Sequence, residues 1–530
     1  MATSAAPQDV PYTSHAFVQT HPRRLSTVAW LMGLDAPPLA TCRVLELGCA
    51  AGGNLLPMAI ELPDAQFVGV DVSATSVQKG RQAIAELHLT NVSIEQHDIA
   101  DWQYAGPPFD YILAHGVYSW VPPLVQRRIL EICAQHLAPN GVAYLSYNTQ
   151  PGWSLRGVVR DYLRFAVDAS QPPSQRVHDA RQLLELLGAA FPAGRAPQAP
   201  LVQHELQRLA NQTDDYLFHE YLTAENEPLY FRDFAASLRP HGLRYLGEAE
   251  YSWMSSADLP PEVAQSLRTR ARTREELEQF LDFVRWQLFR QTLVCRDVHE
   301  PVWTTPPERM YDLQLAGELT MEGRISPLGS NEVVTFSRPK SRMSTPQPLA
   351  KAALATLAQS WPRWWKFGDL LRESLSRLGV PTAPSTPVEQ LPHARELAET
   401  LRRAYGVALV EAARTPPPVA DSIAARPVAA LWARRQAQRT AIVPNAAHAS
   451  HTLQGFQRFV LTQLDGGRDR EALLDIIERE ARDSVSLTDS QGGTVTDRLR
   501  VREVLGETLD RTLQELLQLG FLLADPMDDS

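Results

Sequence analysis

Cysteine is scarce. The four in this 530-residue chain, Cys42, Cys49, Cys133 and Cys295, form no CxxC pair and lack a histidine at ligand spacing, so they support neither a disulfide framework nor a zinc site. They read as small buried thiols, and no metal is expected. Long apolar runs are missing too. No window approaches the roughly 20 apolar residues of a membrane span, and the opening MATSAAPQDV has neither a basic leader nor an apolar signal core, so the expected location is the cytoplasm. Positive charge is in deficit: 51 Lys and Arg against 61 Asp and Glu leave a net −10, which offers no general attraction to a phosphate backbone. Nucleic acid is therefore not an expected partner. Lysine occurs only at Lys79, Lys340, Lys351 and Lys366, which reads as coding bias toward arginine. What is present is an ordinary globular share of apolar residues, 44%, enough for several cores.

The stretch VLELGCAAGGNLLP (44–57) sets an apolar strand against a glycine cluster and then a helical pattern. Such a turn lets backbone N–H groups approach a ligand closely. Four further strand candidates follow, AQFVGVDVS (65–73), VSIEQHD (92–98), FDYILAHG (109–116) and GVAYLSYN (141–148), separated by stretches with apolar residues at helical spacing. This alternation predicts an α/β fold with a doubly wound parallel sheet whose ligand lies at the carboxyl ends of its strands. The turn Gly48-Cys49-Ala50-Ala51-Gly52-Gly53 lacks the dinucleotide spacing GxGxxG, and Glu46 stands just before it. A carboxylate there would repel a pyrophosphate but suits a cofactor with an amino-acid end and no phosphates. S-adenosylmethionine has that makeup. Asp71 closes the second strand candidate, placed to accept from two ribose hydroxyls, and Asp98 closes the third, within reach of an adenine edge.

The E-x-G-x-x-x-G turn with these two aspartates resembles the class I S-adenosylmethionine-dependent methyltransferases. The N/D-P-P-Y/F motif of base and amide methylation is replaced by AHGVYSWVPP (114–123), which argues against those acceptors. Tyr118 and Trp120 instead offer aromatic faces to a sulfonium or an alkyl-ammonium, and YNTQPGW adds the rings of Tyr147 and Trp153 with Asn148 between them.

Beyond Trp153 helices alternate with proline-rich segments, and a helix near 229–239 with LRYLGEAEYSW reads as a return to the sheet. TREELEQFLDFVRWQLFRQTL (273–293) reads as one long amphipathic helix. Extended segments near 311–324 and 332–345 follow, then a helix–turn–helix through WPRWWKF and, after RTPPPVADS, a last helical section. The expected domains are a methyltransferase domain over 1–255 with a helical insertion at about 154–215, a regulatory middle region over 256–415 with a winged-helix-like part, and a winged-helix-like domain over 416–530. WPRWWKF reads as a buried helix junction, with an exposed aromatic anchor as the alternative. Residues 461–530 carry 16 acidic against 8 basic residues, a sign unsuited to phosphate binding. Protein binding, or a homodimer, is the reading for this end.

PYTSHAFVQTHPRRL, ELGCAAGGNLLPMA, VYSWVP, YNTQPGW, YLFHEYL and FRQTLVCR together resemble bacterial methyltransferases with a methyltransferase regulatory domain, among them protein-lysine methyltransferases of outer-membrane proteins. The resemblance places Glu46, Gly48, Gly52, Asp71 and Asp98 on the cofactor, with Cys49, Ala50, Asn54, Val72, Ile99 and His115 completing that candidate set, and Tyr12 to Arg24 as a lid. His15 and His21 are possible assistants, His21 doubling as a capping residue. Tyr118, Trp120, Asn148 and Trp153 would line the acceptor channel, with a water chain or Tyr118 taking the proton. The implied activity is methyl transfer to protein lysine. A small-molecule methyltransferase and a cofactor-sensing scaffold without turnover stay open.

Overall fold

Val44, Leu45 and Leu47 are fully buried, so their strand shows no polar face and needs cover on both sides. The computed structural model describes residues 14–192, 197–322, 328–484 and 498–524, and the chain divides into two units.

The first unit is built on Met32–Glu250 and Ser256–Trp303, with Ser14. Its parallel strands β1 (Arg43–Leu47), β2 (Gln66–Asp71), β3 (Val92–Gln96), β4 (Phe109–Ala114) and β5 (Leu137–Asn148) are joined through helices Leu55–Glu61, Ala74–Glu86 and Pro123–His136. β6 (Leu243–Glu248) and β7 (Phe289–Arg296) complete a sheet of order β3-β2-β1-β4-β5-β7-β6, with β7 antiparallel to both neighbours. This is the doubly wound α/β sheet that strand–helix alternation predicts. Winding reverses between β1 and β4, so their carboxyl ends open a crevice. One face of the sheet packs Leu45, Leu145 and Tyr147 with Phe231 and Phe234 of the helix Phe231–Leu238. The insertion forms helices Trp153–Ala166, Pro173–Ala190 and Ala199–Ala210 around Leu163, Leu206, Phe218 and Tyr221.

The long helix expected over 273–293 is two elements. It ends at Arg285, Trp286 turns left-handed at φ 52°, and Phe289–Arg296 enters the sheet between β5 and β6. Two-residue alternation in FRQTLVCR wins because Arg290, Thr292 and Val294 all find buried places on one side. Arg290 explains the charge there. It donates to Glu248 (2.5 Å) on β6 and to Glu278 (3.0 Å) and Asp282 (2.8 Å) on the helix Arg274–Arg285. The sheet thus draws its seventh strand from beyond residue 255.

The second unit comprises His15–Leu31, Tyr251–Ser255 and the chain from Thr304 onward. Helices Pro348–Ser360, Phe367–Arg377 and Ala394–Gly406 surround Leu354, Phe367, Leu371 and Leu401, with three-stranded sheets from Gln314–Ala316, Trp365–Lys366 and Glu411–Ala413 and from Thr320–Glu322, Val334–Arg338 and Ser341–Thr345. Helices Leu431–Arg439, Gly455–Gln463, Arg470–Ser484 and Arg498–Gln518 form another core around Val460, Leu509 and Phe521, beside the hairpin Ile442–Pro444/Ser450–Thr452. In WPRWWKF only Pro362 and Phe367 are buried; Trp361 donates to the Gln518 carbonyl at 2.9 Å and Trp365 to Ser360 Oγ at 2.8 Å. Among the described residues no helix is long and apolar enough to cross a membrane.

Candidate active site

The glycine turn is held from beneath by main-chain bonds. The N–H groups of Gly48 and Cys49 both donate to the Val70 carbonyl, at 2.8 and 3.2 Å. Gly48 and Gly52 sit at φ 76°, where side chains are strained, and a Cβ on Gly48 would lie 2.4 Å from Val117 Cγ2. Cys49 is buried with its sulfur where a Cβ on Gly69 would collide, so its smallness serves packing, and burial pushes its thiol well up. Ala50, also left-handed at φ 48°, donates its N–H to Asp71 Oδ2 at 2.8 Å, while Ser73 N–H donates to Asp71 Oδ1 at 2.9 Å. Asp71 thereby ties the turn to the end of β2 and keeps one lone pair free on each oxygen.

Glu46 is the most telling group. It is 3% exposed, accepts from Asn54 Nδ2 at 2.7 Å through one oxygen, and its other oxygen is buried without a partner. Burial raises its pKa to about 7, against the Asn54 hydrogen bond and helped by Asp71 nearby. An unsatisfied buried carboxylate oxygen at a glycine turn fits an incoming ammonium, as the amino-acid end of S-adenosylmethionine provides.

Asp98 follows β3 by two residues, is exposed, and accepts from the Ala100 N–H at 2.9 Å; the preceding His97 donates its N–H to the Asp71 carbonyl at 3.1 Å. Glu46, Asp71 and Asp98 therefore stand at the carboxyl ends of three adjacent strands. Val72 is 54% exposed beside them and Ile99 is buried. Tyr12 lies outside the described residues. Within the expected lid span Ser14 accepts from Gly53 N–H at 2.7 Å, a contact that sequence reasoning missed, whereas Arg24 belongs to the second unit, beside Glu411. His15, whose pKa burial lowers, and His21, edge-on to His448 at 5.1 Å, belong there too.

At the end of β4, His115 Nδ1 meets Tyr144 Oη at 2.9 Å and Ser146 Oγ at 3.2 Å, and burial lowers its pKa to about 4, so the ring is neutral at ordinary pH. The following turn separates the two expected aromatics. Tyr118 is 3% exposed and packs on Phe234 and Tyr147, with burial pushing its phenol to about 12. That ring packs into the core of the sheet. Trp120 is half-buried and meets Trp153 edge-on, ring centroids 6.2 Å apart. Trp153 is buried between Trp120, Tyr221 and the Arg156 guanidinium, its indole N–H without a partner. Asn148 ends β5. Its N–H donates to Ser119 Oγ at 2.8 Å and its side-chain Nδ2 to Asn226 Oδ1 at 3.0 Å. The Asn226 segment, unforeseen in the sequence, runs alongside: Leu229 N–H donates to the Asn148 carbonyl and Gln150 N–H to the Leu229 carbonyl, both at 3.0 Å.

Three stretches of the chain match family models. A methyltransferase domain model matches residues 44–141, a predicted methyltransferase regulatory domain 213–296, and a PKMT C-terminal winged helix domain 425–521. An uncharacterized protein of Rickettsia prowazekii is 30% identical over 505 residues, covering 94% of this chain and 90% of that one. The solved structure of PKMT2 from Rickettsia typhi superposes with a TM-score of 0.85 at 26% identity, covering 96% of this chain and 100% of that chain. Its complex with AdoHcy superposes at 0.84, covering 97% and 100%. The chain belongs to the S-adenosylmethionine-dependent methyltransferases that join a class I methyltransferase domain to a methyltransferase regulatory domain and a PKMT-type winged helix.

Proposed function

We propose that this methyltransferase transfers methyl groups to lysine side chains of protein acceptors. The observation that carries the reading is the wall of Trp120 and Trp153 with the Asn148 amide, at the ends of β4 and β5 and on the same edge of the parallel sheet as the Glu46–Asp71 turn. Aromatic faces favour an alkyl-ammonium, and a buried amide oxygen accepts an N–H. The name PKMT2 of the structural relative supports the same acceptor class.

Glu46 and Asp71 would hold the cofactor, the first at its ammonium and the second at its ribose. When bound, S-adenosylmethionine supplies a sulfonium methyl: the amine lone pair forms the new N–C bond while the S–C pair stays on sulfur as a neutral thioether. The acceptor must first lose a proton, which from a pKa near 10.4 costs about 4 kcal/mol at neutral pH. Desolvation against Trp120 and Trp153 lowers that cost by disfavouring the ammonium. Burial pushes the Tyr118 phenol up to about 12, so it is a neutral phenol at ordinary pH, which favours water over Tyr118 as the proton's route.

The test is transfer of labelled methyl from S-adenosylmethionine to lysine-containing peptides and, in parallel, to small amines and carboxylates. Label in lysine is the expected result. Label confined to small molecules rejects the protein acceptor, and cofactor binding without any transfer rejects the enzyme in favour of a scaffold.

A further inference from the structure

The main chain of Asn148 is locked from both sides, by Ser119 Oγ on its N–H and by the Leu229 N–H on its carbonyl, and the residue is 4% exposed. One freedom remains, a half-turn of the side-chain amide that exchanges its oxygen with its NH2 group. The two orientations are chemically opposite. An amide oxygen accepts an N–H from an amine and leaves the nitrogen lone pair free to attack the methyl group; an amide NH2 facing the same nitrogen would donate into that lone pair and block transfer. Asn226 Oδ1 accepts from Asn148 Nδ2, which turns the oxygen of Asn148 away from Asn226.

Asn226 sits on a stretch outside any helix or strand, and its hold comes from elsewhere. Arg160, 5% exposed on the insertion helix Trp153–Ala166, donates through Nη2 to three successive carbonyls, Thr223 (2.6 Å), Ala224 (3.2 Å) and Glu225 (3.1 Å). These end the π-helical turn Phe218–Leu222, and they lie in the 213–296 match to the regulatory domain. Two residues past Glu225, Glu227 N–H is tied to the Ser119 carbonyl at 2.9 Å. The segment is clamped on either side of Asn226.

We infer that Asn226 is a positioning residue: it orients the Asn148 amide with its oxygen toward the acceptor nitrogen, and Arg160 fixes the segment that presents it. The inference rests on the amine acceptor proposed above. It gives the regulatory segment a direct route to the reaction, because any partner that displaces 223–229 frees the Asn148 amide to turn.

The full chain is assayed with labelled S-adenosylmethionine and a synthetic peptide carrying one central lysine. Asn226→Ala is expected to lower kcat by roughly tenfold or more while AdoHcy affinity changes less than about twofold. Asn226→Asp, which still accepts from the Asn148 NH2 but can donate nothing, is expected to stay within about threefold of wild type. In an Asn148→Ala background the Asn226→Ala change should cost less than about twofold, because the pair acts as one unit. Arg160→Lys should retain part of the activity that Arg160→Ala loses. With 15N-asparagine labelling, the Asn148 NH2 signal, identified by its loss in Asn148→Ser, should move in Asn226→Ala and hold in Asn226→Asp. Asn226→Asp as damaging as Asn226→Ala, additive losses in the double variant, or an unmoved NH2 signal each overturn the inference. If wild type labels no lysine the acceptor reading fails, and the NH2 signal still decides the Asn148–Asn226 contact.

Discussion

Glu46 and His115 stand at opposite ends of the same effect. Burial lifts the Glu46 carboxyl to about 7 from 4.5, so its contribution to stability is present below the unfolded value and is lost as pH rises through the folded one. With the cofactor's ammonium docked beside it as proposed, the preference would reverse and binding would expel the proton. AdoHcy affinity should therefore climb about tenfold per pH unit up to roughly pH 7 and then level off. Calorimetry across that range is the check, with Glu46→Gln expected to abolish the slope. His115 is pushed down to about 4 from 6.5, so its share of stability is present above 6.5 and lost as pH falls through 4. In urea titrations His115→Asn should flatten that acid decline. Gly152 allows no side chain, since a Cβ would lie 2.2 Å from the Gln287 carbonyl oxygen. Gly152→Ala should cost about 1–3 kcal/mol in urea unfolding and lower kcat, because Trp153 is the next residue. That the glycine turn follows β1 and that acids stand at the ends of β1 and β2 was legible because main-chain geometry dictates it. The direction of an aromatic was not: in the tight turn Tyr118–Trp120 residues two apart point about 240° apart, so Tyr118 enters the core while Trp120 turns away.

Two periodicities overlap at the end of the helix Arg274–Arg285. Leu277, Phe280, Leu281 and Val284 keep a helical spacing that Leu288 continues in the sequence but not in the structure, and nothing local announces the reversal. The stop is a tryptophan in the left-handed region, 55% exposed, where glycine is the favoured residue. Trp286→Gly is expected to leave the melting temperature unchanged or raise it, relief of up to about 1–2 kcal/mol being offset by glycine's unfolded-state freedom. The charges on this helix read as a solvated face in one dimension, yet Glu278 and Asp282 converge on Arg290. Arg290→Met would leave three buried carboxyls facing one another and should destabilise by about 3–5 kcal/mol, seen as a lower urea midpoint. Strands β1 to β4 were placed by their apolar runs to within two residues; β7 was hidden because its pairing partners lie in distant sequence.

The chain passes between its two units five times, after residues 14, 31, 250, 255 and 303. A cut at one point therefore does not separate them. Ending the chain after Trp303 strands the helix Pro22–Leu31, whose Leu25, Val28 and Leu31 are buried in the whole protein. Such a truncation should bind hydrophobic dyes and scatter light on mild warming, where the full chain does not. The same threading bears on how the protein is born. Pro22–Leu31 emerges from the ribosome early, but its own unit resumes in earnest only after Thr304, about 270 residues later, and at roughly 5–20 residues per second that is a wait of tens of seconds. For that interval a greasy helix hangs on a half-made polypeptide without the unit that buries it.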